Sequence, residues 1–118
     1  MKLLATLTDT LDPGFGRVAA VDLDREYAEI VFEWLPPPGL RTSGKGFLGI
    51  AWLGAPAKSH LIACAHAALC RIDARSWTAT GVLHQPCMND LHHVTVHMNG
   101  CWSPTPDLTV LIPSTMCR

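Results

Sequence analysis

The sequence predicts an all-β fold made of short antiparallel strands, and three observations predict it. Apolar and polar residues alternate with a period of two along almost the whole chain. Nine prolines and nine glycines are spread through the 118 residues, as expected between many short strands. Hydrophobic residues make up 48% of the chain, which excludes a disordered protein. The length predicts a single domain, residues 1–118, with a small core.

The first part of the chain contains three predicted strands and a long loop. The strands are Lys2–Thr8, Arg17–Leu23 and Ala28–Trp34. Three consecutive prolines follow, and proline cannot donate a backbone hydrogen bond to a neighbouring strand. We therefore predict a partial unit of three strands over residues 1–34 and a loop over residues 35–46.

The middle of the chain predicts a complete unit of four strands over residues 47–84. Its strands are Phe47–Leu53, His60–His66, Ala68–Asp73 and Trp77–His84. An alternative exists for Leu61–Ile72, because this alanine-rich segment also fits a helix. The flanking strands and the alternation around Ile72 favour the sheet.

The last part of the chain predicts a second partial unit, over residues 88–113. Its strands are His92–His97, the short piece Cys101–Trp102 and Leu108–Ile112. The third strands of the three units resemble one another, and Ile72 lies 40 positions before Ile112. Blades of four strands repeat at roughly 40–45 residues in β-propellers. We therefore interpret the units as propeller-type blades that form an incomplete ring in one chain.

Five short motifs carry a family resemblance between about residue 61 and residue 112. They are Leu-Ile-Ala-Cys-Ala-His at 61–66, Arg-Ile-Asp at 71–73, Trp-Thr-Ala-Thr-Gly at 77–81, Asn-Asp-Leu-His-His-Val at 89–94 and Gly-Cys-Trp at 100–102. With them the chain resembles bacterial six-bladed β-propellers of the gluconolactonase-like and NHL/YncE-like kind. The resemblance implies about two to three blades in this chain.

The resemblance also implies a ligand site at the start of the last blade. In the lactonase branch an asparagine at this place faces the central channel and contacts substrate near a bound divalent ion. That position is Asn89 here, with Asp90 as its structural neighbour, and the predicted ligand site extends to His92 and His93. The segment at 103–106, Ser-Pro-Thr-Pro, departs from the family pattern. The other metal ligands of that branch lie on blades that this chain lacks, so one copy is not expected to hold a complete lactonase site.

A zinc site is the second hypothesis for the same region, where cysteine and histidine are dense. Structural zinc takes four nitrogen or sulfur ligands in a tetrahedron. On a strand, His93 and His97 share a face but lie roughly 13 Å apart, so they cannot share one ion. Cys87 and His92 remain as predicted metal ligands across the turn. The competing interpretation treats these residues as polar strand positions and buried thiols.

No catalytic residue is predicted from the remaining candidates. Cys64 and His66 share a face of their predicted strand, but a nucleophilic pair also needs contact and a third, orienting group. Asp22 and Asp73 occupy matching strand ends and are predicted to hydrogen-bond within turns. The four tryptophans are predicted to pack between blades.

The net charge and the lengths of the apolar runs bear on which partners and which location are expected. The net charge of −1 gives no electrostatic reason to expect nucleic acid or an anionic membrane as partner. There is no secretory h-region and no apolar run of membrane-spanning length, so a cytoplasmic location with reduced cysteines is expected.

Three functional hypotheses follow from the sequence. The first is a non-catalytic binding and assembly module, without cofactor, that forms homo-oligomers through open blade edges and takes a small-molecule ligand in a central channel. The second is a metal-dependent, lactonase-like hydrolase that uses Ca²⁺ or Mn²⁺ and whose site forms between assembled copies. The third is a small protein stabilised by Zn²⁺. The sequence leaves open whether copies complete a ring or the chain is a fragment of a longer propeller.

Overall fold

The computed structural model describes residues 1–7, 16–40, 46–53, 59–84, 91–94, 96–98 and 108–110. Every regular element in these ranges is a β-strand, which confirms the all-β prediction. All described strand pairs are antiparallel. In this part of the chain no helix has the length and apolarity that crossing a membrane requires.

Three strands form the N-terminal sheet. They are β1 (Lys2–Leu7), β2 (Gly16–Asp22) and β3 (Tyr27–Trp34), and they lie side by side in chain order. The predicted strands of this region are confirmed with bounds that differ by one residue at most; Thr8 lies outside the described residues. Because neighbouring strands in the sheet are also neighbours in the chain and pair antiparallel, the sheet is a β-meander.

Four strands form the central sheet, as predicted for residues 47–84. They are β4 (Gly49–Leu53), β5 (His60–Cys64), β6 (Leu69–Asp73) and β7 (Thr78–Leu83), again in chain order. The helical alternative for Leu61–Ile72 is wrong, because β5 and β6 occupy it and the turn between them is closed by the Ala65 N–H donating to the Ala68 carbonyl at 2.9 Å. Tertiary packing outweighs the helix propensity of these alanines, since Ala63, Ala65 and Ala68 are buried in the core.

A third pair of strands follows the central sheet. It consists of β8 (Val96–Met98) and β9 (Leu108–Val110). The predicted strand His92–His97 is wrong in its first half, because residues 91–94 carry no strand pairing. The Leu91 N–H donates instead to the His66 carbonyl at 2.9 Å, in the turn after β5. The predicted piece Cys101–Trp102 lies outside the described residues.

The main core lies between the N-terminal and central sheets. Its centre is Phe47, which is fully buried and precedes β4. The ring of Phe47 stacks on Phe32 at a centroid distance of 6.3 Å and on Trp34 at 5.6 Å. The other fully or nearly fully buried members come from both sheets: Val18, Leu61, Ala63, Ala65, Ala68, Cys70 and Ile72. The two sheets therefore share one interior.

A smaller core covers the opposite face of the central sheet. There Leu91 and Val94, which follow the last strand of the sheet, pack on Cys64 and Leu69. Strand register explains the two-sided burial: Leu61 pairs with Ile72 toward the main core, whereas Cys64 pairs with Leu69 toward the smaller one. The central sheet is thus covered on one face by the main core and, around Cys64 and Leu69 only, on the other face by the smaller core.

The prediction that the tryptophans pack between sheets agrees with the structure for two of them. Trp34 is buried between the sheets and Trp77 packs partly buried against the main core. Trp52 is 36% exposed, so the packing prediction is wrong for this residue; it lies on β4, the edge strand of the central sheet. Trp102 lies outside the described residues.

Candidate functional site

Two acidic hairpin turns stand out among the polar groups of the described residues. Asp22 Oδ1 accepts hydrogen bonds from the backbone N–H groups of Asp24 and Arg25, and Asp73 Oδ1 accepts one from the N–H of Arg75 at 2.8 Å. These bonds confirm the prediction that both aspartates bind within turns.

Arginine controls the charge of the second turn. The Arg75 guanidinium donates to both carboxylate oxygens of Asp73, at 3.3 and 3.2 Å. The side-chain bonds from Arg75, together with its backbone N–H, lower the pKa of Asp73 to about 2. The Asp73 carboxylate is therefore ionised at any ordinary pH and already holds three donors.

The side chains of Ser59, His60 and Asp73 lie in a row beside this turn. Ser59 Oγ lies 3.0 Å from His60 Nδ1, and His60 Nε2 lies 3.9 Å from Asp73 Oδ2. Sequence analysis missed this grouping, because only the pairing of His60 with Asp73 across β5 and β6 brings the residues together.

The geometry of this line does not fit a nucleophilic triad. An orienting carboxylate must hydrogen-bond the histidine, and 3.9 Å is too long for such a bond. Arg75 also competes for the same carboxylate oxygen. His60 and Asp73 are the terminal pair of the β5–β6 ladder, so the grouping lies where these two strands end.

The predicted ligand site is described only in part. His92 and His93 are exposed, in the segment that covers the smaller core, and Asn89 and Asp90 lie outside the described residues. The backbone here approaches β4 closely, because a Cβ atom at Gly49 would lie 3.3 Å from both the His92 carbonyl oxygen and the His93 Cα. The packing of Leu91 and Val94 and this close approach hold the two histidines at the surface.

The predicted zinc ligands are not brought together within the described residues. Cys87 lies outside them, and His92 is exposed. Among the residues that the structure describes, no group of three or more histidine, cysteine, aspartate or glutamate side chains could hold a metal ion. The zinc hypothesis therefore stays a prediction, because its first ligand, Cys87, lies outside the described residues.

The two thiols of the central sheet are inaccessible to solvent. Cys64 and Cys70 are fully buried and reduced. Burial raises the pKa of Cys64 and raises that of Cys70 to about 12. Strand β5 ends at Cys64, so His66 lies in the following turn and the predicted shared strand face does not exist. Since the thiolate is the nucleophilic form, these cysteines serve the core.

Two open cavities lie on the sheet surfaces. One, of about 200 Å³, adjoins the first hairpin turn and is lined by charges that engage one another, with Arg25 3.8 Å from Asp22 and Tyr27 donating to Glu29. The other, of about 250 Å³, is a largely apolar groove on the central sheet. We call it the central groove; its lining residues are Ile62, Leu69, Arg71, Gly81, Val82 and Leu83.

Comparison of the chain with protein-family models, with curated proteins and with solved structures finds no match. The functional conclusion therefore depends on the molecule's own surfaces.

Proposed function

We propose that this chain is a non-catalytic binding and assembly module built of propeller-type blades, and that it self-associates. Three features of the described residues support this proposal. They are apolar side chains exposed on the sheets, two hairpin turns of the same geometry, and strand edges with no paired neighbour.

The observation that carries the proposal is the apolar surface left on the outer sides of the stack. On the N-terminal sheet, Leu3, Leu7 and Ile30 are between 37% and 51% exposed, and on the last strand of the central sheet Leu83 is 47% exposed. Apolar side chains that share a sheet face are normally buried against another layer. Further copies of the chain would supply that layer.

The likeness of the two hairpins supports the blade interpretation. In both, the aspartate that ends the strand binds the following turn, and the residue four positions later, Glu26 or Trp77, has a positive φ of 51° or 53°. In both, a backbone N–H after the aspartate donates to the residue before the preceding strand: Leu23 to the Met1 carbonyl, and Ala74 to the Ser59 carbonyl. Blades of one propeller share such turns.

Unpaired strand edges provide the second contact surface. The N-terminal sheet ends at β1 and β3, and the central sheet ends at β4 and β7, with no further strand paired to these edges among the described residues. Open edges favour pairing with another chain. Every residue of β7 is exposed, so this edge is the more accessible of the two in the central sheet.

The test is the mass of the purified protein in solution, measured by light scattering on a size-exclusion column over a range of concentrations. We expect a discrete oligomer of two or more copies. A well-folded monomer at the highest concentration would overturn the proposal, because it would show that the apolar faces need no partner.

Metal analysis of the same peak separates the remaining hypotheses. The assembly module is expected without stoichiometric metal. Loosely held Ca²⁺ or Mn²⁺ would favour the lactonase-like hydrolase near Asn89, and stoichiometric Zn²⁺ would favour the zinc-stabilised protein built on Cys87 and His92. A cytoplasmic location stays a prediction from the sequence.

A further inference from the structure

The outward face of the N-terminal sheet combines aliphatic side chains with one charged row. Leu3 pairs with Val21 and Ala5 pairs with Ala19, on the face opposite Leu4 and Val18, which pack in the main core. Ala19 is buried, so the exposed aliphatic surface comes from Leu3, Leu7 and Ile30. We call this surface the outward face; its members are Leu3, Ala5, Leu7, Arg17, Ala19, Val21, Ile30 and Glu33. At one end Arg17 pairs with Glu33 at 3.2 Å, and the Glu33 side chain remains 53% exposed.

The central groove has a complementary composition. Its walls are aliphatic, and its middle is formed by Arg71 with Gly81 opposite it on the neighbouring strand. A Cβ atom at Gly81 would meet nothing within 4 Å, so the space above this glycine is open. Among the described residues, the guanidinium of Arg71 takes part in none of the ion pairs. The groove thus offers an apolar surface with one accessible cation.

We propose that the outward face of one copy packs on the central groove of a second copy, with Glu33 of the first bound to Arg71 of the second. This inference rests on the proposed self-association and names the surfaces that perform it. Arginine and carboxylate form strong paired hydrogen bonds when water is excluded, and the aliphatic side chains around both groups exclude it.

The two surfaces lie on opposite sides of the stack, since the main core separates them. The contact is therefore head-to-tail, with each copy using its outward face toward one neighbour and its groove toward the other. Head-to-tail contacts form rings when the rotation closes and filaments when it does not. A two-fold contact between identical faces would not need Arg71 at all, which makes the two arrangements separable.

Charge reversal tests the pairing directly. In R71E two glutamates would meet, and in E33R two arginines would meet, so each variant is expected to raise the dissociation constant of the oligomer at least about tenfold. In R71E/E33R the pair is restored with its signs exchanged, and the net charge of the chain is unchanged. We expect this double variant to recover most of the lost affinity. Recovery stops short of the native value because the introduced arginine lies beside Arg17, which binds the native Glu33.

Mixing the single variants gives a stronger test. In a 1:1 mixture of R71E and E33R, an alternating assembly brings the two introduced side chains together at one contact and the native Arg71 and Glu33 together at the next. Opposite charges therefore meet at every contact. We expect oligomers in the mixture at concentrations where each variant alone is a monomer. The matched control is E26R, which makes the same change of charge in the first hairpin turn and should leave assembly unchanged.

The outcomes distinguish this inference from the one on which it rests. If the native protein is a monomer, the proposed function itself fails. If the native protein assembles and both single variants assemble equally well, only the head-to-tail pairing is overturned. Loss of assembly in R71E without recovery in the double variant also overturns it, provided that thermal melting and circular dichroism show all variants to be folded.

Discussion

At the scale of single residues, one glycine decides how the main core closes. An added Cβ at Gly16 would lie 2.5 Å from the Phe47 ring, a distance that no packed core contains. The Phe47 ring cannot move aside easily, because it stacks on both Phe32 and Trp34. Gly16 is therefore required by space rather than by backbone conformation.

Replacing Gly16 with alanine is expected to destabilise the fold. The added methyl group overpacks the core, which costs about 1–3 kcal/mol of unfolding free energy. Chemical denaturation of G16A measures this cost. In the double variant G16A/F47L the smaller side chain makes room, so the two effects should fall short of additivity.

The control for this prediction is Gly81, a strand glycine whose Cβ position is open. Measured on the dissociated protein, because Gly81 lines the central groove, G81A should not lower the unfolding free energy. Its methyl group enters open space, and alanine leaves the unfolded chain less conformational freedom than glycine does. A cost for G81A as large as that for G16A would contradict the steric explanation.

The buried cysteines give a second prediction at the same scale. Because burial raises the pKa values of Cys64 and Cys70, their thiols should react slowly with a disulfide reagent at weakly alkaline pH. We expect C64S and C70S to leave the fast-reacting fraction of the native protein unchanged, while each lowers by one the number of thiols that react in denaturant. A smaller fast fraction in either variant would show that its thiol is accessible.

At the scale of elements, the turn between β6 and β7 depends on an ionised aspartate. The pKa of Asp73 is lowered from 3.8 to about 2 in the folded protein. The stabilisation is therefore complete above about pH 4 and is lost as the pH falls through about 2. Protonation of Asp73 in acid should therefore destabilise the hairpin formed by β6 and β7.

Acid titration of the variants tests this role. Between about pH 4 and about pH 2 the melting temperature of D73N should fall less steeply than that of the native protein, because the variant has no carboxylate to protonate. R75Q keeps the carboxylate and its backbone donors but loses the side-chain donors that lower the pKa most, so its slope should lie between those of D73N and the native protein. Equal slopes in all three proteins would exclude Asp73 as a source of acid sensitivity.

Elements were largely predictable from alternation along the chain. All seven strands of the two larger sheets are predicted in place, since period-two patterns and proline breaks are local signals. The predicted strand from His92 failed because the Leu91 N–H bonds to the His66 carbonyl, a contact between distant positions that no local pattern reports. For the same reason the meeting of Ser59, His60 and Asp73 could not be predicted: it depends on strand register.

At the scale of the whole molecule, stacking of the sheets was anticipated but the surfaces it exposes were not. A blade pattern predicts which residues alternate, yet the side chain of Trp52, which alternates correctly, is exposed on an edge strand. Asn89, Asp90 and Cys87, the sequence's first candidates for chemistry, lie outside the described residues. The outward face and central groove emerge only once the side of each sheet that is already covered is known.

The shared interior has a thermodynamic consequence. Phe47 belongs to no strand, yet it fills the space between two sheets and stacks on aromatic rings of the first. Each sheet buries one face against the other in the main core, so separating them would expose the apolar faces of both at once. Heating should therefore unfold the two sheets in one cooperative event, as halves of a single folding unit.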